Sequence, residues 1–404
     1  MFKKNKSEAD SAGHLLLSSY EKWAGIVFLS IVMLFLVFVA VASFVSEDIL
    51  RSETENRNLC QFVEPDLDSV FDGSWESGFE EYNKDQFVFR SQSIKLYYGF
   101  LDLLRVSVRN GFVKGLDDCI LSIRQNLPPT EEYGEQQVEA MVKLQHAADG
   151  YGGRVIYMNV PHHNEFFFDK YPPFYENAKE SDDAKRASII QKTKDAGIDV
   201  IETYDLLTSK KNEYVYFFTD HHWTQKGACY AYRCLLEHIN RDEKYPPMEL
   251  PDWDELPRAE NPAPMAGSYL LKWGDSGSIA ADYLEYVLPD DMPSFNRFDN
   301  GMLSEAPVIN KDKNSYSAFM DGDMGNTVIE TSREQLPSVL YVGLSYTKVL
   351  EVLSIYNFNR VESIDPRYWD GVICDYISES QPDFIVVLRD DLYSDNPEIK
   401  CKVD

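Results

Sequence analysis

Ser338-Val339-Leu340-Tyr341-Val342-Gly343-Leu344-Ser345-Tyr346-Thr347 passes from an apolar run, through a hydroxyl, into an amphipathic segment. The run at 338–342 is short and rich in β-branched and aromatic residues, which predicts a buried strand. The apolar spacing over 347–356 predicts a helix. The same alternation extends in both directions. Downstream, 360–364 reads as a strand, 369–379 as a helix and 383–388 as a strand. Upstream, helices are expected at 136–148 and 182–194, and strands at 154–160 and 197–202. A further helix at 224–240 carries Ala228, Ala231, Leu235 and Ile239 on one stripe, with Thr224 as its N-cap. Strand–helix alternation of this kind predicts an α/β fold, a three-layer sandwich around a mostly parallel sheet. The stretch at about 241–316 breaks the rhythm with Pro, Asp and Trp, and is expected to be an irregular insertion or cap.

In such sheets ligands bind beyond the carboxyl ends of the strands. Four features fall at expected strand ends: Pro161-His162-His163, Asp220-His221-His222, Gly343-Leu344-Ser345 and Asp365-Pro366-Arg367. Acyl transfer needs a nucleophile, a base to take its proton and a carboxylate to orient that base. Ser345 at a strand-to-helix junction is the candidate nucleophile, and Gly343 would allow a tight turn there. Its alternative role is to cap the helix. Asp220 and His222 flank one residue, follow the aromatic run 214–218 and can point to the same side. His222 is the candidate base and Asp220 its orienting acid, while Trp223 is expected to pack beneath the loop. His221, His162 and Tyr346 are candidate substrate-side groups. Arg367 is a candidate for holding a substrate carboxylate or hydroxyl, or else a structural partner of Asp365. Tyr316 to Asp323, followed by Asn326, offers a glycine and an amide for a second oxyanion donor. Adjacent histidines point to opposite faces, and neither HxxxH nor HExxH spacing occurs, so no metal and no other cofactor is expected.

The chain of 404 residues carries a formal net charge of −28, which opposes nucleic acid or anionic lipid as a partner. Residues 23–45 contain no charge and would span about 34 Å as a helix, enough for a bilayer core. Lys3, Lys4, Lys6 and Lys22 precede this segment, while Glu47 and Asp48 follow it. The positive-inside rule then gives a cytoplasmic N-terminus, a single-pass anchor in the cell membrane and an extracytoplasmic remainder. The expected organisation is a cytoplasmic tail at 1–22, the anchor at 23–45, a stalk and helical part at 46–130, and the α/β domain at 131–404. In the helical part, Phe79, Tyr82, Phe87 and Phe89 precede Arg90, and a turn with a short strand is expected at 111–120. Six cysteines (Cys60, Cys119, Cys229, Cys234, Cys374 and Cys401) lie beyond the anchor and allow either disulfides or buried thiols.

Asp220-His221-His222-Trp223 resembles the signature of the DHHW protein family, which is similar to the SGNH/GDSL-like alginate O-acetyltransferases. The resemblance runs from Glu55-Asn56-Arg57 through Asp85-Gln86-Phe87-Val88-Phe89-Arg90, Tyr316 to Gly322 and Ser345-Tyr346 to Asp365-Pro366-Arg367-Tyr368. It implies an SGNH-hydrolase-like domain in which Asp220, His222 and Ser345 move or remove an acetyl ester on a polysaccharide. A membrane protein delivering the acetyl donor is the implied partner. Leu344 stands where related sequences tend to carry an aspartate, one residue before the serine. A non-catalytic glycan-binding or envelope-assembly module with a degenerate cleft is the alternative.

Overall fold

The central strands are apolar on both faces because helices cover both sides of the sheet. The computed structural model describes residues 19–52, 57–176, 178–242, 244–265, 267–274, 277–288, 292–390, 402 and 403. Lys3, Lys4 and Lys6, the Glu55-Asn56 pair and Cys401 lie outside the described residues. The main sheet contains β1 (Arg154–Val160), β2 (Asp199–Glu202), β3 (Asn296–Asp299), β4 (Met302–Leu303) and β5 (Asn326–Glu330). It is completed by β6 (Ser338–Gly343), β7 (Arg360–Ile364) and β8 (Phe384–Asp390), in the order β4-β3-β5-β7-β6-β8-β1-β2. Strands β7, β6, β8, β1 and β2 are parallel, while β4, β3 and β5 form an antiparallel edge. Connecting the strands are α1 (Glu135–Asp149), α2 (Lys179–Asp195), α3 (Gln225–Ile239), the short α4 (Ser268–Trp273), α5 (Thr347–Ser354) and α6 (Ile373–Ser380).

Side-chain alternation sorts these strands into two cores. Val339 and Tyr341 of β6 face one core with Ala228 and Leu235 of α3 and Val349 and Leu353 of α5. Leu340 and Val342 face the other with Met141 and Leu144 of α1 and Ile373 and Ile377 of α6. Each such Leu or Ile, fully buried, contributes about 1.5–3 kcal/mol. The result is the three-layer α/β/α arrangement expected from the alternation. Thr224 caps α3 as its position implies, its hydroxyl accepting the Gly227 N–H at 3.2 Å.

Three local expectations change. Strands β3 and β4 lie inside the stretch read as irregular, yet they join the sheet's antiparallel edge, and Arg258–Glu260 pairs with Glu285–Val287. The aromatic run 214–218 is no sheet strand: it forms only an isolated bridge, Tyr216 to Trp223, across a tight loop. Gly343 does not sit at a left-handed turn. A Cβ there would stand 2.7 Å from the Leu388 carbonyl oxygen and 2.8 Å from the Thr347 methyl, so close approach is what demands glycine.

The chain divides into two compact units, Met1–Tyr97 and Tyr98–Asp404. The first contains the helix Ser19–Val45, in which an 18-residue window of Lys22–Val45 has a mean hydropathy of 3.0 and the span has the length to cross a bilayer. In the same unit the Gln86 amide ties two backbone segments, donating to Ile49 O at 3.0 Å and Cys60 O at 2.9 Å. The thiols of Cys60, Cys119, Cys229 and Cys234 are free, with Cys119 and Cys229 buried.

The close packing at Gly343 makes a direct prediction. Gly343→Ala lowers the unfolding free energy by about 1–3 kcal/mol through overpacking. It is read as a shift of the urea midpoint of the full-length protein in detergent. A midpoint equal to the parent's contradicts the close approach.

Candidate active site

The loop at 214–223 is irregular, so its backbone groups need partners other than a ladder. It closes on itself through Phe217 N–H to His222 O at 3.3 Å and Thr224 N–H to Val215 O at 3.0 Å. The Asp282 carboxylate, from the inserted stretch, accepts the N–H groups of Phe218 at 3.0 Å and Thr219 at 2.7 Å. It also accepts the hydroxyls of Thr219 and Tyr214, each at 2.5 Å. Burial raises the Asp282 carboxyl above its ordinary range, against the pull of these bonds. Asp282 thus replaces a missing strand partner, a role no local sequence pattern announces.

On this loop Asp220 Oδ1 lies 2.6 Å from His222 Nδ1 and accepts the His222 backbone N–H at 3.0 Å. Its Oδ2 accepts the Ser268 N–H, at the start of α4, at 2.7 Å. Burial alone would raise this carboxyl. The His222 and His221 rings and the bonds from His222 and Ser268 outweigh it and hold Asp220 well below the ordinary carboxylate range. The far nitrogen of His222, Nε2, stands 2.7 Å from Ser345 Oγ. Ser345 is half-buried in the turn between β6 and α5, on the strand end expected from the sequence. Asp220 and His222, two residues apart, and Ser345, 123 residues further on, therefore form one hydrogen-bonded line. Leu344 does not interrupt it, since the acid comes from Asp220.

The His222 ring lies flat on Tyr316, with centroids 3.6 Å apart and planes 2° apart. Trp223 is buried beneath the loop and its Nε1 donates to Tyr316 Oη at 3.1 Å, fixing that plate. Ser268 and Tyr316 are the residues whose placement the sequence does not reveal, because each reaches the triad from a distant, aperiodic segment.

The other candidates divide. His221 stays in the cleft: its Nδ1 meets Ser268 Oγ at 2.7 Å, and its ring touches that of His222 at 3.8 Å. Tyr346 is committed to position, its hydroxyl donating to the His221 carbonyl. His162 lies one residue behind, with Nδ1 accepting the Asn164 N–H at 3.1 Å and Nε2 facing Tyr269 Oη at 3.2 Å. Arg367 spends its guanidinium on Asp365 at 2.6 Å and Asp323 at 3.0 Å. Asn326 gives its amide to Ser363 O at 3.1 Å and Tyr376 Oη at 3.3 Å. Neither is within hydrogen-bond distance of a triad atom among the described residues. Asp220, His221 and His222 also bring donor atoms within 4.8 Å of one another, a grouping that could hold a metal ion. The short bonds to Ser345 and within the Asp220–His222 pair engage both His222 nitrogens.

Residues 122–262 match a family model described as ALGX, SGNH hydrolase-like domain, acetyltransferase AlgX. Over these residues the chain is similar to an SGNH hydrolase-like domain. That match contains Asp220 and His222 and ends before Ser345. A DHHW family protein from Eubacterium siraeum is similar at 20% identity, with a TM-score of 0.60, covering 73% of this chain and 97% of its own. Bacillus cereus PatB1, in a structure with a sulfonyl adduct, is similar at 16% identity and a TM-score of 0.58, covering 72% of this chain and 98% of its own. At these identities the likeness is one of fold. No curated protein matches the chain.

Beneath the triad, His162 and His163 are held neutral by burial. His163 is pushed down to about 4, its Nε2 hydrogen-bonded to Phe217 O at 2.9 Å. The sign is fixed by linkage: below about pH 6.5 the unfolded chain takes up a proton that folded His163 refuses until about pH 4. Stability from this residue is therefore lost as pH falls through that window. Glu165 and Asp182, whose carboxyls burial raises, act with opposite sign, so the test is a difference between proteins. Between pH 7 and 4.5 the parent should lose roughly 2 kcal/mol more unfolding free energy than His163→Gln. Parallel pH profiles of the urea midpoints would contradict a neutral buried His163.

Proposed function

We propose that this protein is a serine-dependent O-acetyltransferase or acetylesterase acting on a polysaccharide. The single observation that carries the reading is the line Asp220 Oδ1 to His222 Nδ1 at 2.6 Å and His222 Nε2 to Ser345 Oγ at 2.7 Å. The acetyltransferase family model supports the acyl group, and the resemblance of Asp220-His221-His222-Trp223 to the DHHW family, itself similar to the alginate O-acetyltransferases, implies a glycan as the acceptor. In the first step Ser345 Oγ attacks the acetyl carbonyl and its proton passes to His222 Nε2. Asp220 keeps the His222 N–H on its own side and stabilises the imidazolium. Collapse of the tetrahedral species releases the donor's oxygen, which takes the proton from His222. A glycan hydroxyl, or water, then gives its proton to His222 as its oxygen attacks the acetyl carbon, and Ser345 is restored. Backbone N–H groups at the β6–α5 turn are the candidates for holding the oxyanion. The helix Ser19–Val45 would anchor the chain in the cell membrane, placing this domain outside the cytoplasm.

Ser345→Ala should abolish turnover of p-nitrophenyl acetate by the full-length protein, and Asp220→Asn should lower it by roughly a thousandfold or more. A fluorophosphonate should label Ser345 in the parent and fail to label His222→Ala. Equal turnover in Ser345→Ala and the parent sinks the assignment.

A further inference from the structure

The triad makes no use of His221, yet that ring is held in place beside His222. Its Nδ1 meets Ser268 Oγ at 2.7 Å and lies 3.7 Å from Asp220 Oδ1. Its carbonyl accepts the Tyr346 hydroxyl, and its ring stacks on Tyr269 with centroids 5.6 Å apart. A buried anion beside Nδ1 favours the tautomer with the proton there, donated to Ser268, which leaves the Nε2 lone pair as an acceptor. Nε2 makes no hydrogen bond among the described residues, and the side chain is 29% exposed, so the acceptor faces no competitor and is reachable. Burial, then the neighbouring His222, push the His221 imidazole down to about 3.

We infer that His221 receives a second hydroxyl of the acceptor beside the one that attacks, so that the site selects the vicinal diol of a sugar ring over a lone alcohol. This rests on the serine reading above. Neighbouring ring hydroxyls present two donors side by side, the complement of two imidazoles in contact at 3.8 Å. The attacking hydroxyl passes its proton to His222 Nε2 while its oxygen bonds the acetyl carbon. The bond from that carbon to Ser345 Oγ breaks, and the proton moves from His222 to Oγ. The neighbouring hydroxyl donates a hydrogen bond to His221 Nε2 and is not consumed. An alcohol without it leaves that nitrogen covered and unpaired, which is how a polar site rejects an analogue lacking one hydroxyl.

The test gives the full-length protein p-nitrophenyl acetate as donor, with equal cyclohexanol and cyclohexanediol bearing adjacent hydroxyls as acceptors. Acetylated diol, acetylated cyclohexanol and free acetate all leave one acetyl-enzyme, so their ratios cancel any damage to the first step. The parent should favour the diol by at least about tenfold beyond its statistical advantage of having two hydroxyls. His221→Phe keeps the ring stack but not the acceptor, and should collapse the preference to the statistical ratio. His221→Gln, whose amide oxygen accepts, should retain part of it. A parent without diol preference, a parent yielding acetate alone, or a preference that survives in His221→Phe overturns the inference and leaves the serine reading standing. Release of neither acetate nor ester above the Ser345→Ala background overturns both.

Discussion

A buried, ionised carboxylate organises this molecule's cleft. Taking a charge out of water costs several kcal/mol unless it is paired and hydrogen-bonded. Asp220 meets that demand with the His222 ring, the His222 N–H and the Ser268 N–H. Each partner is thereby fixed: the bond to Nδ1 orients the ring toward Ser345, and the bond from Ser268 pulls the inserted stretch against the loop. Asp282 does the same for the loop's backbone on the other side, through Phe218 and Thr219. Two acids in a protein of strongly negative charge thus do structural work that its many surface acids do not.

The cleft is rigid through stacking as well as hydrogen bonds. Tyr316 lies against one face of His222, the tilted His221 ring packs against it as well, and Trp223 locks Tyr316 from below. Rotation of the His222 ring would break the bonds to Asp220 and Ser345 and lose the stack together. Geometry of this kind lets a modest side-chain base act twice in one cycle without reorganising. Burial pushes both the His163 and the His221 imidazoles below their ordinary range, with the neighbouring His222 ring adding to the shift at His221.

The central sheet and the candidate residues Asp220, His222 and Ser345 were legible because each follows a short-range rule, whereas their meeting is a property of the fold. Continuous apolar runs such as 339–342 write a doubly covered strand, and a serine after such a run lands at a strand end. Asp220 and His222 were legible from their spacing and Trp223 from its size. What stayed hidden is long-range. The irregular loop at 214–223 is aromatic enough to read as a strand, but its partner is the carboxylate of Asp282 rather than a neighbouring strand. Strands β3 and β5 are short and polar at their ends and β4 has only two residues, so the antiparallel edge gives no periodic signal. Ser268 and Tyr316 act through contacts that only the folded chain creates. For Arg367 the sequence left open a substrate ligand or a structural partner of Asp365, and in the fold Asp365, two residues earlier, and Asp323 hold its guanidinium.

The central claim is that Ser345 becomes nucleophilic because His222 and Asp220 reach it in one line. The most direct measurement is acid quenching of the full-length protein during turnover of p-nitrophenyl acetate, followed by peptide mass spectrometry. The account predicts one acetyl group on the peptide bearing Ser345, localised to that hydroxyl and missing when His222 is replaced. Acetyl found on Ser268 or a lysine instead, with Ser345 unmodified, would contradict it.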